Sequence, residues 1–199
     1  MHAPLTGELA WYATGRFYVA TNKFVHDVGY FLHLQGIEGN LFNGAPSEAT
    51  AYFTFAAAPF LSQTVANADV TLSLGPIGKF SLFFNPQAGG NFSNPASFSK
   101  GQEIAVFQRV SVVTTMTIAQ LQPGNESNGI MSNVFSAKLI ESREFKFNGQ
   151  RYDLKNLLPN GITQWGTASA RPTEAPPPYV SAFPFVGSAI AVGGRATVK

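Results

Sequence analysis

Residues 102–118, QEIAVFQRVSVVTTMTI, alternate in side-chain character over most of their length and decide the fold class. A period of two is typical of a strand with one buried face. At about 3.3 Å per residue the segment would span roughly 55 Å, which is too long for a flat strand in a domain of 199 residues. Such a strand has to coil or bend, as strands do in barrels and in strongly twisted sandwiches.

The two faces of this segment have different chemistry. One face consists of Ile104, Val106, Val110, Val112, Met116 and Ile118, with Gln108 among them. We expect this face to lie inside, where Gln108 would bond core side chains, a water molecule or the polar end of a ligand. Arg109 and Glu103 would then lie outside, in cross-strand charge pairs. If the faces are reversed, Arg109 becomes an interior charge and a candidate catalytic residue.

Strand-like segments and turn signals fill the rest of the chain and predict nine to eleven strands. Residues 145–152, FKFNGQRY, predict a tight hairpin, because Asn-Gly accepts the positive φ that both turn positions require. Thr14-Gly15 predicts a turn between two strands, and residues 154–158 predict one helical turn. Residues 85–101 are rich in Asn, Pro, Ser and Gly, and they predict an ordered surface connection, a functional lid or a disordered segment.

These features predict a single all-β domain, a closed or nearly closed antiparallel β-barrel of up-and-down topology, with a β-sandwich as the alternative. In its strand pattern the chain resembles the lipocalin-like (calycin-like) barrels, including those of allene oxide cyclases and dirigent proteins. We expect residues 1–170 to form the barrel and residues 171–178 to form a proline-rich spacer. Residues 179–199 would supply a strand that completes the barrel or pairs with a neighbouring copy.

Composition excludes several classes of function. The net charge is +2 and the basic residues are scattered singly, which argues against nucleic-acid binding. The chain has no cysteine, so disulfides, thiolate metal sites and cysteine nucleophiles are excluded. His26 and His33 would lie on opposite faces of one strand, and we expect neither a metal nor another cofactor.

Membrane insertion and secretion are not indicated by the sequence. The longest apolar stretch, residues 179–192, is interrupted by Pro184 and Gly187 and is too short for a membrane-spanning helix. No signal peptide is visible at the start of the sequence. Together with the lack of cysteine, this favours a cytoplasmic location.

The leading functional hypothesis is a pocket for an apolar or aromatic small molecule, because the chain has 18 Phe and few charged residues. The predicted ligand-binding residues are Phe53, Phe55, Phe80, Phe84, Gln108 and Trp165, with Trp165 at a barrel mouth. The predicted catalytic residues are His26 as a general base, Tyr30 on the same strand face, and Arg109. If the protein is an enzyme, we expect a cofactor-free cyclase or isomerase that acts by holding its substrate in shape.

The alternative hypothesis is a non-catalytic structural or assembly protein. Several strands are apolar on both faces, as at Tyr30 and Phe31. Such a protein would form a homo-oligomer through these faces and through its C-terminal strand.

Overall fold

A computed structural model of the chain describes residues 7–22, 24–61, 63–67, 70–74, 78–119, 128–169 and 171–193. The strands are β1 (Leu9–Ala20), β2 (Phe24–Leu34), β3 (Phe53–Ala57), β4 (Phe60–Leu61), β5 (Gln63–Asn67), β6 (Val70–Leu74), β7 (Lys79–Phe84), β8 (Gln102–Ala119), β9 (Asn128–Ser142), β10 (Phe145–Phe147), β11 (Gln150–Tyr152), β12 (Ile162–Ser169) and β13 (Tyr179–Ala191). Two short helices accompany them, a 3₁₀ helix at Pro95–Ser99 and α1 at Leu154–Leu157. No helix among these residues has the length and apolarity needed to cross a membrane.

Eight antiparallel strands form a closed barrel in the order β8-β7-β3-β2-β1-β13-β12-β9, and β9 pairs with β8 to complete the ring. β4 continues the wall beside β2, while the β5–β6 hairpin pairs with the far half of β8. Strands that neighbour each other in the ring mostly follow each other in the chain, which is an up-and-down meander. The predicted closed, lipocalin-like barrel is therefore confirmed.

Strand β13 lies between β1 and β12; it pairs with β1 along nearly its whole length and with β12 from Phe185 to Ala191. β1 itself runs unbroken through Thr14-Gly15, so the turn predicted there is wrong. Gly15 pairs with Gly29 of β2, and a Cβ on Gly29 would lie 2.6 Å from the Phe55 ring. The glycines in this part of the wall make room for the backbone of the neighbouring strand and for aromatic side chains rather than for a turn.

One end of the barrel is closed by a plug that consists of β10, β11 and α1. The turn between β10 and β11 has φ of 48° at Asn148 and 81° at Gly149, so the predicted Asn-Gly hairpin is confirmed, as is the helical turn α1. The apolar side chains of the plug that join the barrel core are Phe145, Phe147, Tyr152, Leu154, Leu157 and Leu158. The sequence of the plug therefore continues the core across the end of the barrel.

Residues 85–101 pack on the outside of the wall rather than over a barrel mouth. Tyr18 Oη donates to the carbonyl oxygen of Phe92 at 2.7 Å, and Thr54 Oγ1 donates to that of Phe98 at 2.6 Å. Phe98 joins a second apolar cluster with Tyr18, Val28 and Ala182 on this outer side. Of the three alternatives predicted for it, the segment is thus the ordered surface connection.

Residues 171–178 run beside the outer surface of β13. The Thr173 amide donates to the Ala182 carbonyl oxygen at 2.7 Å, and Ala175 packs against the second apolar cluster. The proline-rich segment is therefore in contact with the barrel wall.

Strand β8 does not keep one face inward along its length. Its pairing with β9 shifts register between Val106 and Phe107 and again between Arg109 and Ser111. The extra residue at the first shift is Ile140 of β9, and at the second it is Val110 of β8. A bulge turns the side chains that follow it in its own strand toward the other face. Phe107 and Arg109, which precede the bulge in β8, are buried, whereas Val110 is 42% exposed. The prediction that the face with Gln108 and Val110 lies inside is wrong for this part of the strand.

Candidate functional site

A buried ion pair lies inside the barrel, toward the end opposite the plug. Arg109 belongs to β8 and Asp27 to β2, which are three strands apart in the ring. Arg109 Nη2 donates to both carboxylate oxygens of Asp27, at 2.8 Å to Oδ2 and 3.1 Å to Oδ1. The two side chains are 4% and 8% exposed, so water screens their attraction much less than at the protein surface.

Three phenylalanine rings surround the guanidinium group of Arg109. Its Cζ lies 5.0 Å from the ring centroid of Phe60, 5.3 Å from that of Phe80 and 5.1 Å from that of Phe135. A cation within about 6 Å of a ring face is attracted by the ring quadrupole. The positive charge is therefore stabilised by Asp27 on one side and by aromatic rings around it.

The hydrogen bonding of Arg109 is incomplete. Arginine often meets a carboxylate through two nitrogens, with two parallel hydrogen bonds. Here both oxygens of Asp27 accept from Nη2, and Nη1, which lies beside Gly78, has no hydrogen-bond partner among the described residues. A buried donor without an acceptor costs about 1–3 kcal/mol, and a charged donor costs more. An oxygen atom placed next to Nη1 would remove this cost.

A small cavity adjoins the ion pair and has a volume of about 10 Å³, which is room for about one water molecule. Its other lining residues include Trp11, Phe31, Phe55, Phe80, Phe135 and Gln164. Trp11 Nε1 donates to Gln164 Oε1 at 2.8 Å, so these two polar atoms already satisfy each other. Nη1 of Arg109 is the group beside this cavity that still lacks a partner among the described residues.

The chemistry available at this site is that of one strong donor and one carboxylate in apolar surroundings. A fixed cationic donor stabilises negative charge that is present or develops on an oxygen atom, and it does so most strongly where water is excluded. A buried ion pair by itself contributes little to stability and is often replaceable by apolar residues without loss. The stability of the fold therefore does not by itself account for Arg109 and Asp27 among phenylalanines.

The four predicted ligand-binding phenylalanines lie inside the barrel. Phe55 and Phe80 line the cavity beside Arg109. Phe53 and Phe84 stack on each other at a centroid distance of 5.2 Å and contact the phenylalanines of the plug. Two of the four thus belong to the site, and two belong to the closed end.

Gln108 and Trp165 do not line the interior. Gln108 is half-buried, and its Nε2 donates to the carbonyl oxygens of Gly78 and Arg109 at 3.4 and 3.2 Å. Trp165 is 45% exposed on the outside of β12, because its neighbours Gln164 and Gly166 in the strand are the inward residues. The predicted interior position of Gln108 and the predicted mouth position of Trp165 are both corrected by these placements.

His26 and Tyr30 lie outside the wall, because Asp27 and Phe31 are inward residues of β2. His26 Nδ1 is 2.8 Å from Tyr179 Oη, and burial lowers the pKa of His26 against the opposing effect of the Asp27 carboxylate. Tyr30 packs on the ring of Phe92, and burial raises the pKa of its hydroxyl. The three predicted catalytic residues are therefore not brought together, since only Arg109 is inside.

Asp27, Trp11 and Gln164 belong to the site but were not among the predicted site residues. Asp27 lies on the same face of β2 as Gly29 and Phe31. The sequence would therefore have predicted an inward carboxylate if it had shown which face of β2 lies inside. The bond between Trp11 and Gln164 joins residues 153 positions apart, and no sequence pattern points to it.

No group of three or more His, Asp or Glu side chains within the described ranges is arranged to hold a metal ion. The described charged side chains that are buried are those of Asp27 and Arg109, and they are the candidates to contact a bound molecule. The chain matches no protein-family model, no curated protein and no solved structure.

Proposed function

We propose that the barrel binds an apolar or aromatic small molecule through an oxygen atom that accepts a hydrogen bond from Arg109 Nη1. The observation that carries this proposal is a guanidinium group with a 4% exposed side chain and a nitrogen that has no partner among the described residues. Binding sites for small molecules are mostly apolar with a few placed polar groups. The phenylalanines around Arg109 supply the apolar part and Nη1 supplies the polar part.

The size of the cavity limits how such a ligand would lie. A volume of about 10 Å³ accommodates one oxygen atom but no ring. The oxygen of the ligand would enter this space, and its apolar body would lie toward Phe60 or displace one of the neighbouring rings. Carbonyl, carboxylate and sulfonate oxygens all suit a guanidinium donor.

A cyclase or isomerase activity would follow from this mode of binding if the ligand were a flexible, reactive chain. Holding such a chain folded against the barrel wall lowers the entropic part of the barrier to ring closure. Arg109 would stabilise negative charge on a carbonyl oxygen as it develops, and Asp27 would keep the guanidinium oriented. His26 and Tyr30 have no role in this scheme, because they lie outside the wall.

Two dyes of nearly the same shape test the proposal. 1-Anilinonaphthalene-8-sulfonate carries an anionic oxygen acceptor, and N-phenyl-1-naphthylamine has the same rings without the sulfonate. We expect the folded protein to bind the sulfonate dye more tightly, in a ratio of one dye per chain, as measured by fluorescence titration. The double variant Asp27→Leu/Arg109→Met removes both charges together, which keeps the barrel free of an unpaired buried charge. It should lose its preference for the sulfonate dye and retain affinity for the neutral one.

Arg151→Met is the matched control, because Arg151 is exposed on β11. It should bind both dyes as the unmodified protein does. Equal affinity of the two dyes for the unmodified protein, or an unchanged preference in the double variant, would contradict the proposal. Far-UV circular dichroism of each variant shows that the barrel is still folded.

A further inference from the structure

The outer surface of the barrel carries a row of residues that are aligned across five strands. The pairing registers connect Tyr12 of β1, Ser188 of β13, Trp165 of β12, Val134 of β9 and Val113 of β8. Tyr12 is 48% exposed, Trp165 is 45% exposed, and each of the two valines is 38% exposed. A monomeric protein rarely presents so many large apolar side chains side by side.

The two rows that flank the row of Tyr12 and Trp165 also contain no charged residue. One consists of Thr14, Val186, Thr167 and Ser132, and the other consists of Ile190, Thr163, Ser136 and Ser111. Charged residues begin one row further along the strands, at Arg16 in one direction and Lys138 in the other. The three rows together, called the outer patch below, form an uncharged surface with a charged rim, which is the composition of an interface core.

The size of the outer patch is close to what a dimer needs. Five strands at about 4.8 Å and three rows at about 6.8 Å give roughly 24 by 20 Å, or on the order of 500 Å². Because the barrel wall is curved, two such patches facing each other would bury at most about 1,000 Å², which is near the lower limit for a specific interface. We therefore expect association in the micromolar range.

The outer patch also contains a recess of about 360 Å³, lined in part by Tyr12, Trp165, Val186 and Ser188. It arises because the small side chain of Ser188 lies between the rings of Tyr12 and Trp165. We propose that the outer patch binds the outer patch of a second copy of this chain around a two-fold axis. Trp165 of each copy lies in the recess of the other, as a self-complementary contact requires.

Sedimentation equilibrium with charge-introducing variants tests the dimer. The unmodified protein should show twice the chain mass of 21.3 kDa at concentrations on the order of 100 µM, as expected for a micromolar dissociation constant. Trp165→Glu and Val186→Glu should each weaken the dimer at least about 30-fold, because buried tryptophan anchors and desolvated charges dominate interface energies. Ile140→Glu is the matched control and should leave the dimer intact, since Ile140 is 44% exposed but lies outside the outer patch.

Chemical cross-linking tests the position of the interface independently. The chain has no cysteine, so one introduced cysteine can be linked only to the same residue of another copy. Thr167→Cys lies in the outer patch and should give a covalent dimer with a short bis-maleimide. Ser99→Cys, at an exposed site in the 3₁₀ helix, should not.

The result that overturns the inference is a protein that stays monomeric at these concentrations. A dimer that persists in both glutamate variants would also overturn it, because the contact would then lie elsewhere. Variant folds are compared by far-UV circular dichroism, and exposed positions are chosen so that folding is retained.

Discussion

Removing one member of the Arg109–Asp27 pair should destabilise the barrel far more than removing both. Arg109→Met leaves the carboxylate of Asp27 without its cationic partner at a position where its side chain is 8% exposed. Breaking a buried ion pair in this way typically costs about 3–5 kcal/mol of unfolding free energy. The double variant Asp27→Leu/Arg109→Met should lie within about 1 kcal/mol of the unmodified protein or be more stable.

The two single variants should differ in how much unfolding free energy they lose. After Asp27→Leu, the guanidinium still faces the rings of Phe60, Phe80 and Phe135 at 5.0–5.3 Å. Desolvated cation–π contacts are worth up to about 2 kcal/mol, so they offset part of the loss. After Arg109→Met, the described residues leave the carboxylate of Asp27 no comparable contact. We therefore expect Arg109→Met to be the more destabilising of the two.

Urea denaturation followed by far-UV circular dichroism measures the four unfolding free energies of this cycle. Arg143→Met is the control, because the Arg143–Glu103 pair has an N–O distance of 3.0 Å but its arginine is 54% exposed. It should change stability by less than about 1 kcal/mol. If both single variants lose less than about 1 kcal/mol of unfolding free energy, the pair is hydrated and the reasoning is refuted. The reasoning is also refuted if the loss in the double variant equals the sum of the two single losses.

Three further predictions concern the wall and its surroundings. Deleting residues 179–199 should abolish folding, because β13 pairs with both β1 and β12; a soluble product with native-like circular dichroism would contradict this. Gly29→Ala should cost about 1–3 kcal/mol by overpacking, since its Cβ would lie 2.6 Å from Phe55, whereas Gly78→Ala meets no atom closer than 3.7 Å and should change little in the same urea assay. Burial holds the pKa of folded His26 below 6.5, so the unfolded state binds this proton first as the pH falls through 6.5. The unfolding free energy should then decline by at most about 1.4 kcal/mol per pH unit until the folded-state pKa is reached. His26→Asn should flatten that decline between pH 7 and 5. Equal slopes in the variant and the unmodified protein would contradict this prediction.

The fold was predictable because its main signals are local. Period-two strands, the Asn148-Gly149 turn and the length of the residue 102–118 segment each constrain the backbone without information from elsewhere. The turn predicted at Thr14-Gly15 was wrong because glycine also occurs inside a strand where a neighbouring ring approaches the backbone. That requirement comes from the backbone of the paired strand and from Phe55 and Phe185, and the two rings are distant in sequence.

The site was only partly predictable, because which face of a strand lies inside is not a local property. β2 is buried on both faces, by the barrel core at Phe31 and by the second apolar cluster at Val28. Its apolar pattern therefore does not distinguish inside from outside, and His26 was preferred over Asp27. In β8 the bulge at Val110 exchanges the inward and outward faces of the strand, which left Arg109 as the alternative rather than the first choice.

The placement of β13 also has a kinetic consequence. Its partner β1 begins the ordered wall, and their pairing joins residues as far apart as Leu9 and Ile190. During synthesis β1 and β12 present bare edges until residues 179–191 have left the ribosome, and bare edges invite pairing with other chains. Pairings of such long sequence separation also form slowly. Refolding of this protein should therefore be slow and sensitive to protein concentration, with ring closure as its last step.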